Sequence, residues 1–181
     1  QELLTKKITA CKTRGFLPTE LIDLVEKIYK RQLEARGKAQ IPTADTLETA
    51  DALQSSQGAP LMDRANFPFD RAQTLELFHE FLDFAKEANP ALKEAAAVIS
   101  AALADKSLDL DQAMQAHRSG DESFFATWAA TTPSAPRTLP MLVQAAMTPS
   151  LERAALELGT KANLKASWAH GHCPLCGSMP I

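Results

Sequence analysis

The chain has 181 residues, 45% of them hydrophobic and 23% charged, with a formal net charge of −3. Such a length and composition suit one globular domain with a core of its own. The acidic balance, with 19 Lys and Arg scattered along the chain, argues against a basic nucleic-acid surface and against a polybasic membrane tether.

Only 7 Gly and 1 Tyr stand against many Ala, Leu, Glu and Lys, so the expected fold class is all-α, an orthogonal multi-helix bundle. The opening Gln1-Glu-Leu-Leu-Thr-Lys-Lys lacks the apolar run of a secretory signal, and no element is assigned there. No apolar stretch reaches the roughly 18 residues needed to cross a bilayer. Three cysteines make no disulfide framework. The expected setting is therefore the cytoplasm, with no membrane insertion and no nucleic-acid partner.

From Leu17 to about Arg36, the residues Leu17, Leu21, Leu24, Val25 and Ile28 repeat at helical spacing, with Pro18 in the first turn and Gly37 as the stop. A second helix is expected from Ile41 to Gln54 on Ala44, Leu47, Ala50 and Leu53. Ser55 to Phe69 reads as a loop, broken by Gly58 and Pro60. Asp70 with Gln73 resembles a capping box, opening a helix to Ala88 so apolar around its circumference that it should be central. Asn89-Pro90 ends it and caps a helix from Ala91 to about Ala104.

Asp109 starts a short helix that Ser119-Gly120 terminates, and Ser119 with Glu122 forms a second capping box ahead of Phe124, Phe125 and Trp128. After the loop Thr131–Pro136, helices should begin near Pro140 and again near Pro149, the latter capped by Thr148. The last runs from Leu151 to about Ala166. The expected organisation is a helical domain over 1–167 and the start of a knuckle over 168–181, its other half lying outside the chain.

The chemistry concentrates at the end. Cys173 and Cys176 form a C-P-x-C-G unit, in which two thiolates can grip one metal ion while Gly177 turns the backbone behind them. A tetrahedral site needs four ligands, and no second CxxC appears. His170 and His172 could complete a Cys2His2 set on paper, although neighbouring residues rarely ligate one ion together. A redox dithiol is the competing reading, but Pro174 and Gly177 flank the cysteines with no strand–helix context around them. Glu76 and His79 give a Glu-x-x-His step, yet a di-iron site needs a second one, which is missing. Cys11, alone, reads as a small semi-buried side chain. No phosphate-binding, zincin or nucleophile-elbow motif occurs, so no catalytic constellation is expected.

The stretch Trp168-Ala-His-Gly-His-Cys-Pro-Leu-Cys-Gly-Ser-Met-Pro180 resembles the first knuckle of the formate dehydrogenase accessory protein family, FdhE. The Gly58-Ala-Pro-Leu61 loop before a helix at Asp70 resembles that family's N-terminal half more loosely. The resemblance implies a cytoplasmic, non-enzymatic maturation protein that binds the catalytic subunit of a respiratory formate dehydrogenase exported by the twin-arginine pathway. It also implies iron or zinc in rubredoxin-like ribbons built from several CxxC pairs. Only Cys173 and Cys176 carry over as ligands, so this chain would supply half a site, or none. Two copies could pool their knuckles as a homodimer. The apolar loop residues Leu61, Met62, Phe67 and Phe69 are the candidates for contacting a client, or else pin the loop to the bundle.

Overall fold

The computed structural model describes residues 2–161 and 168–178. Among them the chain is all-α, with no strand: α1 Glu2–Arg14, α2 Thr19–Arg36, α3 Ala52–Ser56, α4 Arg71–Ala88, α5 Pro90–Ala104, α6 Leu110–Ser119, α7 Glu122–Thr131 and α8 Thr138–Lys161. Two 3-10 turns, Ala44–Thr46 and Arg64–Asn66, lie in the connection between α2 and α4.

Helices α4 and α8 form the centre, because they carry the apolar residues that meet the most neighbours. On α4, Leu77, Phe78, Phe81, Leu82 and Ala85 recur at helical spacing and are buried, and the helix packs against α2, α5 and α8. On α5 the inward face is Leu92, Ala95, Ala96, Ile99 and Ala102, whose small side chains permit close approach. Asp70 caps α4 by accepting the Gln73 N–H at 3.0 Å, but the box is one-sided. The Gln73 amide instead donates to Ala35 O at 2.9 Å and ties the end of α2 to the start of α4. Asn89 caps α5 through the Leu92 N–H, with Pro90 in its first turn.

Five expectations change. Helix α1, unassigned in the sequence, forms and packs on α2. The helix expected over Ile41–Gln54 does not form as one piece. Thr43 O takes both the N–H and the hydroxyl of Thr46, a local alternative to the helical ladder, and a helix begins only after Asp51. There the reciprocal Asp51–Gln54 capping box opens the short α3. Helix α7 is capped by Asp121, not Ser119, whose hydroxyl donates back to Gln115 O at the end of α6. On α2, the residues Ile22, Leu24, Ile28 and Ala35 are buried, while Val25, and Leu17 just before the helix, stay exposed.

The fifth is α8, which runs unbroken through Pro149 instead of restarting there. Thr148 does not cap; its hydroxyl donates to Gln144 O one turn back. A mid-helix proline leaves the carbonyl four residues earlier without its N–H donor. That carbonyl belongs to Ala145, and the Gln32 side-chain amide of α2 donates to it at 2.8 Å. Gln32→Leu should therefore lower stability by about 1–3 kcal/mol, the usual range for an unmet buried acceptor. In urea unfolding, adding Pro149→Ala should restore most of that loss, since it returns the missing N–H. Equal effects of Gln32→Leu with and without Pro149 would rule this account out.

The sequence-predicted continuation of the last helix to Ala166 falls on residues outside those described beyond Lys161. No described helix is long and apolar enough to cross a membrane.

Candidate functional site

The segment 168–178 folds onto the α3–α4 connection. Its turn is closed by two backbone hydrogen bonds, Gly177 N–H to Cys173 O and Cys173 N–H to Ser178 O, both at 2.9 Å. Gly177 has φ +70°, a left-handed conformation that a side chain would strain by about 1–2 kcal/mol. A Cβ there would also lie 3.2 Å from Pro60 Cγ, so the glycine both turns the chain and lets it approach the loop. Cys173 and Cys176 are half-buried free thiols, and the Cys176 thiol bonds to the Ser178 hydroxyl at 3.2 Å.

Two further backbone bonds fasten the turn to the loop: Leu61 N–H to Pro174 O at 2.8 Å and Met62 N–H to Leu175 O at 3.0 Å. Leu175 and Cys176 then join Met62, Phe67, Ala154 and Leu158 in a small second core against α8. The histidines are engaged in the same docking. His172 Nε2–H donates to Gly58 O at 2.9 Å, and the Trp168 indole N–H donates to His172 O at 2.7 Å. His170 lies over Gly58 and 4.8 Å, ring to ring, from Trp168.

Among the described residues, no group of three or more His, Cys, Asp or Glu side chains is placed to hold a metal ion. Two thiols on one tight turn are half of the four donors that a tetrahedral site takes. Glu76 and His79 do not contribute: Glu76 pairs with Arg31 at 3.1 Å, and His79 is exposed on the surface of α4. Cys11, expected to be semi-buried, is exposed, because α1 is covered by little besides α2.

The loop candidates turn inward. Met62 and Phe67 are buried, and Leu61 and Phe69 are half-buried, so the four hold the loop and the turn on the bundle. Among the exposed large apolar side chains, Leu17 and Val25 border a hollow of about 560 Å³ between α1, α2 and α5, and Phe16 is the neighbour of Leu17 in the chain.

Sequence reasoning did not single out two arginines beside the turn. Arg64 donates through Nη2 to His117 O at 2.8 Å. Arg118 donates through Nη1 to Phe67 O at 3.3 Å and through Nη2 to Gln115, and its guanidinium stands 4.9 Å from the centre of the Phe69 ring. Burial pushes Arg118 below its ordinary pKa, and burial together with Arg64 holds the His117 imidazole below its own. Both arginines border an open groove of about 540 Å³ that the Cys173–Gly177 turn also lines. Isolated arginines without a motif give no sequence signal for such a meeting.

Compared with protein-family models, with curated proteins and with solved structures, the chain matches none.

Proposed function

We propose that this chain is an accessory protein that binds the catalytic subunit of a formate dehydrogenase during its assembly in the cytoplasm, and that it acts by binding rather than by catalysis. One observation carries the reading. The two stretches that prompt the resemblance, Gly58–Leu61 and the segment that begins at Trp168, lie more than a hundred residues apart yet are bonded to each other through Gly58, Leu61, His172 and Pro174. In this reading the segment is a half zinc-ribbon or rubredoxin-like knuckle, presented by a helical body. Iron or zinc bound there would give structural support, held by Cys173 and Cys176 with donors from outside the described residues, such as a second copy of the chain. The apolar surface open to the client is Phe16, Leu17 and Val25, rather than the loop residues packed under the turn.

A pull-down with the formate dehydrogenase catalytic subunit tests this, run beside a Cys173→Ser/Cys176→Ser variant. Capture by both proteins would place recognition on the helical bundle. Capture by the wild type alone would make the knuckle part of the interface. Capture by neither would sink the accessory reading.

The half-buried, unbridged state of both thiols favours a second reading, a redox or metal-transfer protein that cycles a Cys173–Cys176 disulfide. Equilibration against graded glutathione buffers separates the two. A pair that stays reduced throughout removes the redox reading.

A further inference from the structure

The groove beside the knuckle turn carries an inference that does not depend on the formate dehydrogenase reading. Arg64 enters its wall from the 3-10 turn before α4, and Arg118 enters from the last turn of α6. Among the described residues neither is ion-paired, whereas Arg31, Arg36, Arg71 and Arg153 each meet a carboxylate. Both are nonetheless held in place by neutral partners, the carbonyls of His117 and Phe67, the Gln115 side chain and the Phe69 ring. These contacts orient the guanidinium groups without cancelling their charge. Asp63 is the carboxylate on this wall, and its Oδ1 already accepts the Ala65 N–H at 2.7 Å as the cap of the 3-10 turn. The wall therefore carries one positive charge in excess, on a chain whose net charge is −3.

We propose that this groove binds an oxyanion group, a phosphate or a carboxylate, between Arg64 and Arg118, with the knuckle turn also lining it. Planar guanidinium forks match the paired oxygens of both groups. At about 540 Å³ the space exceeds a bare anion and falls in the range of small-molecule sites, so the natural ligand would carry the charged group on a larger body. Because His172, Cys176 and Gly177 line the same space, a bound ligand would rest on the knuckle and the bundle at once.

Calorimetric titration of the full chain with inorganic phosphate, and separately with acetate, at matched ionic strength, tests the proposal. Saturable binding at millimolar concentration is expected for at least one of them. Phosphate alone would identify a phosphate ligand, and acetate alone a carboxylate. Arg64→Gln and Arg118→Gln should each weaken binding by about tenfold or more, the scale of one charge-assisted hydrogen bond. Arg118→Lys should fall between, and Arg137→Gln, on an exposed arginine away from the groove, should bind as the wild type does. Circular dichroism checks the fold. Should Arg118→Gln disturb the Phe67 contact, Arg64→Gln decides alone. Saturation by neither anion, or undiminished binding by Arg64→Gln, overturns the proposal.

Discussion

Replacing Phe81 with Ala should lower the unfolding free energy by about 3–5 kcal/mol, the range for truncating a fully enclosed phenylalanine. Phe81 has no exposed surface, lies at the middle of α4 and sits 5.9 Å, ring to ring, from Phe84. Helix α4 touches α2, α5 and α8, so a cavity at this point cannot close by moving one helix without pulling it from another. The loss should appear in urea unfolding as a lower midpoint with an unchanged slope. It should also lower the melting temperature by roughly 10 °C, at about 2–4 °C per kcal/mol for a chain of this size. Phe16→Ala is the matched control, since Phe16 is 84% exposed and should change stability by less than about 0.5 kcal/mol. A Phe81→Ala loss under about 1 kcal/mol would mean that α4 is not the centre of the bundle.

Gly58→Ala should act on the knuckle and leave the bundle intact. Gly58 has φ +92°, and a Cβ there would fall 2.7 Å from His170 Cε1 and 2.9 Å from both ring nitrogens. The backbone strain alone is worth about 1–2 kcal/mol. His170 is exposed and can swing away, but it then gives up its packing on Trp168. A total of about 2–3 kcal/mol corresponds to a shift of roughly 30- to 150-fold toward the undocked segment. The natural reporter is Trp168, whose indole N–H is bonded to His172 O in the docked form. In a Trp128→Phe background its emission should move to longer wavelength while the helical circular dichroism stays constant. Hydrogen exchange should speed at Leu61 and Met62, whose N–H groups the turn accepts. Adding His170→Ala should relieve the steric part and leave the backbone part, so the double variant should dock better than Gly58→Ala. Unchanged exchange at Leu61 and Met62 would show that Gly58 does not control docking.

These two sites differ in how far the sequence foretells them. The central position of α4 follows from the apolar residues Leu75 to Ala85, which cover most of its circumference and leave to solvent a stripe through Glu76, His79 and Asp83. Asp70, Asn89-Pro90 and Asp109 mark helix starts because a cap acts within three residues of itself, and those bounds hold in the structure. The all-α class rests on the same local chemistry. The tight turn at Cys173–Gly177 belongs here too, since its spacing and its glycine are sufficient to close it.

The tertiary structure decided whatever depends on a partner far along the chain. Pro149 reads as a helix start from its neighbours alone, but lies inside a helix whose freed Ala145 carbonyl is met by Gln32, well over a hundred residues away in sequence. Leu61, Met62, Phe67 and Phe69 are apolar residues in a loop, equally suited to a client surface or to a core. Leu175 and α8 enclose Met62 and Phe67 and partly cover Leu61, while Phe69 packs on the main core. Arg64 and Arg118 become a pair only when the end of α6 meets the loop before α4. Local signals carry the helices because caps and periodicity are short-range free energies. The site is non-local, fixed when the core of α4 and α8 brings the loop, the end of α6 and the cysteine turn to one place.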